Sequence, residues 1–483
     1  MTRTPLNTHT ISSTRAGSVR TRRENRAHRS LVRLISKVRT PLISIPRIGW
    51  LAVSFTLVTL LGVLIFHGMT AQQYFLLAAN PALPPDVTTL PPGLEITIPS
   101  RFTALLGSSF KIIPDSELVY GPGQVDLDLQ AIIDTQGGWL AEYQETSEGA
   151  LRPAWEIMHR IGLQYSVNPR LLLALLEYRT GVVTGQPADE QIETYPLGMV
   201  DSGRITFLGG QLRWAAGVLN NGYYGWRDGS ALEITLADGR ASRIDPWQNA
   251  GTVALHTLFG MWYASPEFEQ ATGPDGFAAT YRELFGEPFD YEVQLIPEDL
   301  RQPELQLPFL PEKVWAFSGG PHPTWGDSLP YGALDFAPPA VVTGCGYSTE
   351  WVAAMAAGEV VRTGTAAAIV DLDGDGDERT GWAILYYHLR TDALPDVGTI
   401  LQAGDPLGHP SCDGGRATGT HTHVARKYNG EWIPAAGILP FELSGWVAEA
   451  GAKAYEGWLS YDFPAQRLTA CPCVTSENHI ELP

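Results

Sequence analysis

The 483-residue chain predicts a multidomain architecture: one N-terminal transmembrane helix, a mainly α middle domain and a mainly antiparallel β C-terminal domain. Three observations carry that reading. A basic N-terminal stretch runs straight into an uncharged apolar segment. Two proline-rich stretches divide the remainder of the chain. Runs with helix punctuation lie before the second of these stretches, and strand-like apolar runs lie after it.

Residues 1–47 hold eleven Lys or Arg and a single acid, Glu24, and residues 48–66 are nineteen residues without a charge. About twenty apolar residues cross the hydrocarbon as a helix, and the basic flank stays on the cytoplasmic side. The expectation is a basic cytoplasmic tail over 1–47, a transmembrane anchor over 48–69 and extracytoplasmic domains beyond: a single-pass cell-membrane protein. The rival is a cleaved signal peptide, whose apolar core and basic region are usually shorter; cleavage near Thr70 would make the protein secreted. The net charge of −19 conceals an asymmetry. The first 47 residues carry +10, so the remainder carries −29. An outer part this acidic excludes a nucleic-acid partner there and suits solubility.

Residues 70–100 form a proline-rich linker, a semi-rigid extended spacer. Residues 101–296 form the helical middle domain, in which Pro169 opens and Gly181 closes a long apolar run. A second proline-rich linker occupies 297–311, then come the β domain over 312–470 and a tail over 471–483.

The chemistry is concentrated in the β domain. On an extended chain His421 and His423 project from one face while Thr422 points away. His322 lies in a loop rich in glycine and proline, Asp335 in a short apolar run, and His388 at the end of the strand-like WAILYYHL. A catalytic zinc keeps three His, Asp or Glu ligands and leaves a fourth position to water, whose pKa falls toward neutrality. One ion per chain fits this set.

In these four motifs, taken in order over roughly residues 312–445, the chain resembles the lysostaphin-type zinc endopeptidases and, within them, the beta-lytic metallopeptidase branch. The wide interval from His322 to Asp335 carries the branch resemblance, with Tyr331 standing where the commoner branch has a histidine. The resemblance implies His322, Asp335 and His423 as metal ligands. It implies His421 as the general base that activates water, and His388 as a donor to the oxyanion.

Four cysteines fit an oxidising, extracytoplasmic location. Cys345 and Cys412 are the candidate disulfide, with Cys412 just before the His421–His423 strand; the pairing of Cys471 and Cys473 stays open. In the middle domain, residues 167–181 resemble the opening helix of lysozyme-like lytic transglycosylases. That resemblance implies a lysozyme-like domain with Glu177 as a glycan-cleaving acid; the competing reading of Glu177 is a helix-end carboxylate paired with a nearby base. The acidic segment 371–378 alternates carboxylates as calcium loops do, but Trp382 takes the twelfth position, so an acidic hairpin is the simpler reading.

The function expected from the sequence is a membrane-anchored zinc metalloendopeptidase that hydrolyses amide bonds in peptidoglycan peptides. The substrate comes from the family resemblance alone. The alternatives are a non-catalytic cell-wall-binding or regulatory protein, and a bifunctional hydrolase that uses Glu177 as well.

Overall fold

The computed structural model describes residue 80 and residues 107–481, apart from 201–204, 312, 340–343, 463 and 474. The middle region is mainly helical. Its longer helices are α1 (Leu129–Gln136), α2 (Ala154–Tyr165), α3 (Pro169–Thr180), α4 (Phe207–Arg227), α5 (Ala250–Trp262) and α6 (Phe277–Phe285). The chain marks its own helix ends. The Asp128 side chain accepts from the Ala131 amide to start α1. The Asn168 side chain caps α3 ahead of Pro169, and Gly181 closes it in the left-handed conformation at φ 65°. Residues 171–176 are all fully buried, so α3 is apolar all round and runs through the middle of the helical layer. Helices α4 and α5 cross at Gly222, where a Cβ would stand 2.7 Å from the Ala254 Cα. Only glycine allows that approach.

The C-terminal region is antiparallel throughout. The strands of its two larger sheets are β1 (Trp315–Pro323), β2 (Tyr331–Ala337), β3 (Gly358–Gly364), β4 (Ala367–Asp371), β5 (Trp382–Tyr387), β6 (Ile400–Leu401), β7 (Thr422–Tyr428), β8 (Glu431–Trp432), β9 (Glu442–Leu443), β10 (Trp446–Ala450), β11 (Gly457–Asp462), β12 (Ala465–Thr469) and β13 (His479–Ile480). One sheet has the order β6-β3-β4-β5-β7-β2-β1-β13, with β8 paired to β7; a smaller sheet has the order β9-β10-β11-β12. Alternation along each strand divides the large sheet into two buried faces. Leu334, Phe336, Ile384, Tyr386 and Val424 join the small sheet in one core. Ala333, Ile369, Leu385, Ala425 and Trp432 join the helices in the other. The large sheet is thus the middle of three layers.

The helical layer is bound to the sheet by polar groups as well as by apolar packing. The Lys427 ammonium, buried on β7, donates to the Leu163 carbonyl at 2.6 Å and to Glu378 at 2.8 Å. The Arg227 guanidinium of α4 pairs with Glu431 of β8, and the Trp432 amide donates to the Tyr224 hydroxyl at 3.1 Å. The proline-rich stretch 297–311 buries Leu305, Leu307 and Phe309 in the β core, and residues 479–480 of the tail pair with β1. Leu106–Pro483 make one compact unit.

The expected membrane anchor is corrected here. Among the described residues no helix is long and apolar enough to cross a membrane. The longest, α4 with 21 residues, carries Gln211, Arg213, Asn220 and Asn221, which a lipid-facing helix excludes. The single-pass architecture and the cell-membrane localisation are dropped with it. Segments 1–47 and 48–69, on which they rested, lie outside the described residues.

Candidate metal centre

Three strands bring the candidate ligands together. His423 on β7 stands directly opposite Asp335 on β2, one of the Cα-paired positions of the ladder. His322 comes from β1, where the register shifts on both sides of the residue and re-aims its ring. All three side chains lie on the face of the sheet that also receives the helices, as the same parity at Ala333 and Ala425 requires. Two glycines make room. A Cβ at Gly319 would stand 2.5 Å from the Asp335 Oδ2, and one at Gly320 would stand 2.7 Å from the Glu456 backbone.

The donor atoms converge. His322 Nε2 is 3.0 Å from His423 Nδ1 and 3.2 Å from Asp335 Oδ1, and His423 Nδ1 is 3.4 Å from the same oxygen. Tetrahedral ligands about 2.0–2.1 Å from a zinc ion stand roughly 3.3 Å apart, so the spacing fits. The tautomers fit as well. His322 Nδ1 donates to the Gly320 carbonyl at 2.8 Å, and His423 Nε2 donates to the Thr324 carbonyl at 3.0 Å. A carbonyl only accepts, so each ring carries its proton on the outer nitrogen and turns a lone pair inward. Two lone pairs and a carboxylate oxygen then face one another, and Asp335 Oδ1 is buried without a hydrogen-bond donor among the described residues. A cation answers that arrangement. Among the described residues no other group stands there to satisfy it.

The electrostatics agree. Burial pushes the Asp335 carboxyl up, but the imidazoles of His322 and His421 outweigh it and leave the group well below the usual carboxylate range. Burial holds the His423 imidazole below its ordinary value. Burial first, then the neighbouring His421 and His423 rings, brings His388 down to about 3. The cluster thus sets an ionised carboxylate beside a His423 imidazole that burial keeps neutral, a pairing suited to a metal.

His421 and His388 line the other side. His421 Nδ1 donates to the Gly419 carbonyl at 2.8 Å, which leaves Nε2 facing Asp335 Oδ1 at 3.8 Å. His388 Nδ1 donates to the Asp413 carbonyl at 2.8 Å, and the two rings stand 4.5 Å apart between centroids. His388 leaves β5 at φ 58°, a left-handed conformation costing a non-glycine residue about 1–3 kcal/mol, of the kind that clusters at functional sites. The Cys345–Cys412 disulfide is formed, with Cα atoms 5.7 Å apart, and it ties the loop before β7 to the segment after β2. Cys471 and Cys473 are also bonded to each other.

One residue of the site escaped the sequence reading. The Tyr455 ring stacks on His322 at 4.2 Å between centroids while remaining 54 % exposed. It arrives from the loop between β10 and β11, far along the chain, held by the Gly320 amide donating to its carbonyl at 2.9 Å. The only local signal is Gly320, where a Cβ would collide with the backbone of this loop.

Glu177 lies away from this cluster in the sequence and in its contacts. Its carboxylate accepts from the amides of Val183 and Thr184 and from the Thr184 hydroxyl, which fastens the turn after α3. The segment 371–378 is a hairpin between β4 and β5. Asp371, Asp373 and Asp375 lie close enough to share an ion, but the Asp371 carboxylate is taken by the amides of Asp373, Gly374 and Gly376.

The fold and this side-chain cluster fit the resemblance to lysostaphin-type metallopeptidases. The family model described as "LasA, N-terminal domain" matches residues 111–298. Over 343 residues the chain is 26% identical to Protease LasA of Pseudomonas aeruginosa, an alignment spanning 67% of this chain and 75% of the relative. Over 162 residues it is 29% identical to the beta-lytic metalloendopeptidase of Achromobacter lyticus, spanning 32% of this chain and 40% of that one. Among solved structures, the deep-sea M23 metalloprotease pseudoalterin aligns with 25% identity and a TM-score of 0.30, covering 35% of this chain and 96% of its own. The chain is a LasA-like metalloendopeptidase.

Proposed function

We propose that this chain is a zinc-dependent endopeptidase that hydrolyses amide bonds in the peptide part of cell-wall peptidoglycan. The single observation that supports the metal reading is the convergence of two lone pairs and the orphaned Asp335 oxygen, with His322, Asp335 and His423 as the ligands. The substrate rests on the LasA and beta-lytic relatives. A bound zinc would polarise the scissile carbonyl and lower the pKa of water at the site.

The surrounding residues then divide the work. His421 presents an unprotonated Nε2 beside the ligands and takes the proton of the attacking water. His388 starts as an acceptor too, because its proton is held at Nδ1 by the Asp413 carbonyl. It becomes an oxyanion donor only after gaining a second proton, so its expected role requires a proton delivered during the reaction. Tyr455 stacks on His322 from the solvent side and holds that ligand's ring in place.

Incubating the protein with purified peptidoglycan and identifying the released ends by mass spectrometry tests this. New amino termini in step with bound zinc, both abolished by His423→Ala, are expected. A protein that binds wall fragments, holds no zinc and releases nothing would refute the peptidase reading and favour a wall-binding role.

A further inference from the structure

Beside the catalytic wall lies a second concavity that the peptidase chemistry does not use. It is a cleft of about 610 Å³ whose lining includes Cys345, Tyr347, Ser348, Arg390, Asp392 and Asp413. Clefts of a few hundred Å³ hold molecules of one to a few rings. Two of its three walls, from the segments around 345–348 and 410–413, are joined by the Cys345–Cys412 disulfide. It also adjoins the centre directly, since the Asp413 carbonyl accepts the His388 Nδ1 hydrogen.

The lining limits what can bind. The Arg390 guanidinium is already matched by Asp392, through Nε–Oδ1 at 3.1 Å and Nη2–Oδ2 at 2.7 Å, and Asp413 adds a further negative charge. A cleft with a net negative balance repels phosphates and carboxylates. Tyr347 supplies the one flat apolar surface. Arg390 covers one side of its ring at 4.5 Å and donates to its hydroxyl at 2.6 Å, yet the residue is 72 % exposed, so the opposite ring face meets solvent. Asp413 gives one oxygen to the Thr391 amide at 2.9 Å, and a carboxylate offers about four acceptor positions. A rigid aromatic platform beside spare hydrogen-bond acceptors fits a molecule with a C–H face and an edge of hydroxyls.

We propose that this cleft is a subsite for an uncharged amino-sugar glycan, and that it seats the sugar strand while the attached peptide crosses the metal centre. The origin of the sugar in the cell wall rests on the proposed peptidoglycan function; the subsite itself rests on the cleft. Tyr347 carries the stacking and Asp392 and Asp413 take the hydroxyls.

The test is titration of the full chain with tetra-N-acetylchitotetraose, read by calorimetry and by saturation-transfer NMR. Saturable binding is expected, with the sugar C–H protons nearest an aromatic ring. Tyr347→Ala should weaken it about five- to tenfold, the scale of one aromatic stack, while Tyr347→Phe should stay within about twofold of the wild type. Because Tyr347 is largely exposed, neither change threatens the fold. On intact peptidoglycan, Tyr347→Ala should lower kcat/KM several-fold more than on glycan-free stem peptides. Absence of binding by the wild type overturns the subsite, as does equal binding by Tyr347→Ala. Binding of a lysine-containing tripeptide in place of the sugar overturns it too, and would assign the cleft to a cationic side chain. Since the titration requires no hydrolysis, the subsite and the peptidase reading fail separately.

Discussion

Replacing His423 with alanine separates a metal centre from a hydrogen-bonded polar cluster. A ligand that binds only the folded state stabilises it by RT ln(1 + [L]/Kd), about 2.7 kcal/mol at a hundredfold excess over Kd and about 4.1 kcal/mol at a thousandfold. The unit that melts, Leu106–Pro483, has about 380 residues, and at roughly 2.1 cal/mol/K per residue its unfolding entropy is about 0.8 kcal/mol/K. Zinc should therefore raise Tm by about 3 °C at the lower excess and about 5 °C at the higher. In His423→Ala the remaining His322 and Asp335 make an incomplete set, and the shift should vanish. Differential scanning calorimetry of the chelated protein, with and without added zinc, reads both. If the three groups were instead a network satisfied by protons, zinc would move neither protein. His423→Ala alone would then cost about 1–3 kcal/mol, the penalty for unpaired buried polar groups. Equal zinc shifts in the wild type and the variant would refute the ligand assignment.

The geometry sets three further outcomes. His421→Ala should keep the zinc-dependent Tm shift but lower kcat by about 10²–10⁴, the usual worth of a positioned base; a kcat within threefold of wild type would remove His421 from the proton path. Burial lifts the Glu431 carboxyl to about 7 despite Arg227, so its contribution to stability is full below its ordinary value of 4.5 and is lost as pH rises through 7. Urea unfolding should show roughly 3 kcal/mol less stability at pH 8 than at pH 4.5 from this group, and Glu431→Gln should flatten that slope. Replacing Cys345 and Cys412 together by serine removes a crosslink over 67 residues, which costs up to about 4 kcal/mol by loop entropy; an unchanged denaturation midpoint would show that the loop contributes no constraint.

How far the sequence could be read depends on the distance over which each feature is encoded. His421 and His423 share a strand, and a two-residue alternation is local. The β character of 382–389 and the helix bounded by Pro169 and Gly181 are equally local, and both are present. The Cys345–Cys412 bond was legible because the two residues share the region of the four motifs. Tyr455 was not legible, since it meets His322 only through a loop that packs on Gly320 from more than a hundred residues away. The transmembrane expectation rested on composition in residues 48–66, and the architecture of the described chain does not support it. Glu177 was read from a short helix pattern; its surroundings show a carboxylate occupied with backbone amides, a use that no spacing rule distinguishes from catalysis.

The two proline-rich stretches pointed to separable domains, and the contacts of the second stretch argue otherwise. The helices cover the same sheet face that holds Asp335 and His423, and the contact between layers includes the fully buried Lys427 and Glu431. Lifting the helices away would free Lys427 from the Leu163 carbonyl and Glu431 from Arg227. Removing one partner from such a buried pair costs about 3–5 kcal/mol where the remaining charge stays covered. Strand β7 carries both Lys427 and His423, four residues apart on one face, so the groups that seat the helical layer and the proposed metal ligand share a single rigid element. Positional order at His423 is thereby coupled to the helical layer through β7, a physical connection that a reading of independent modules along the chain has no means to express.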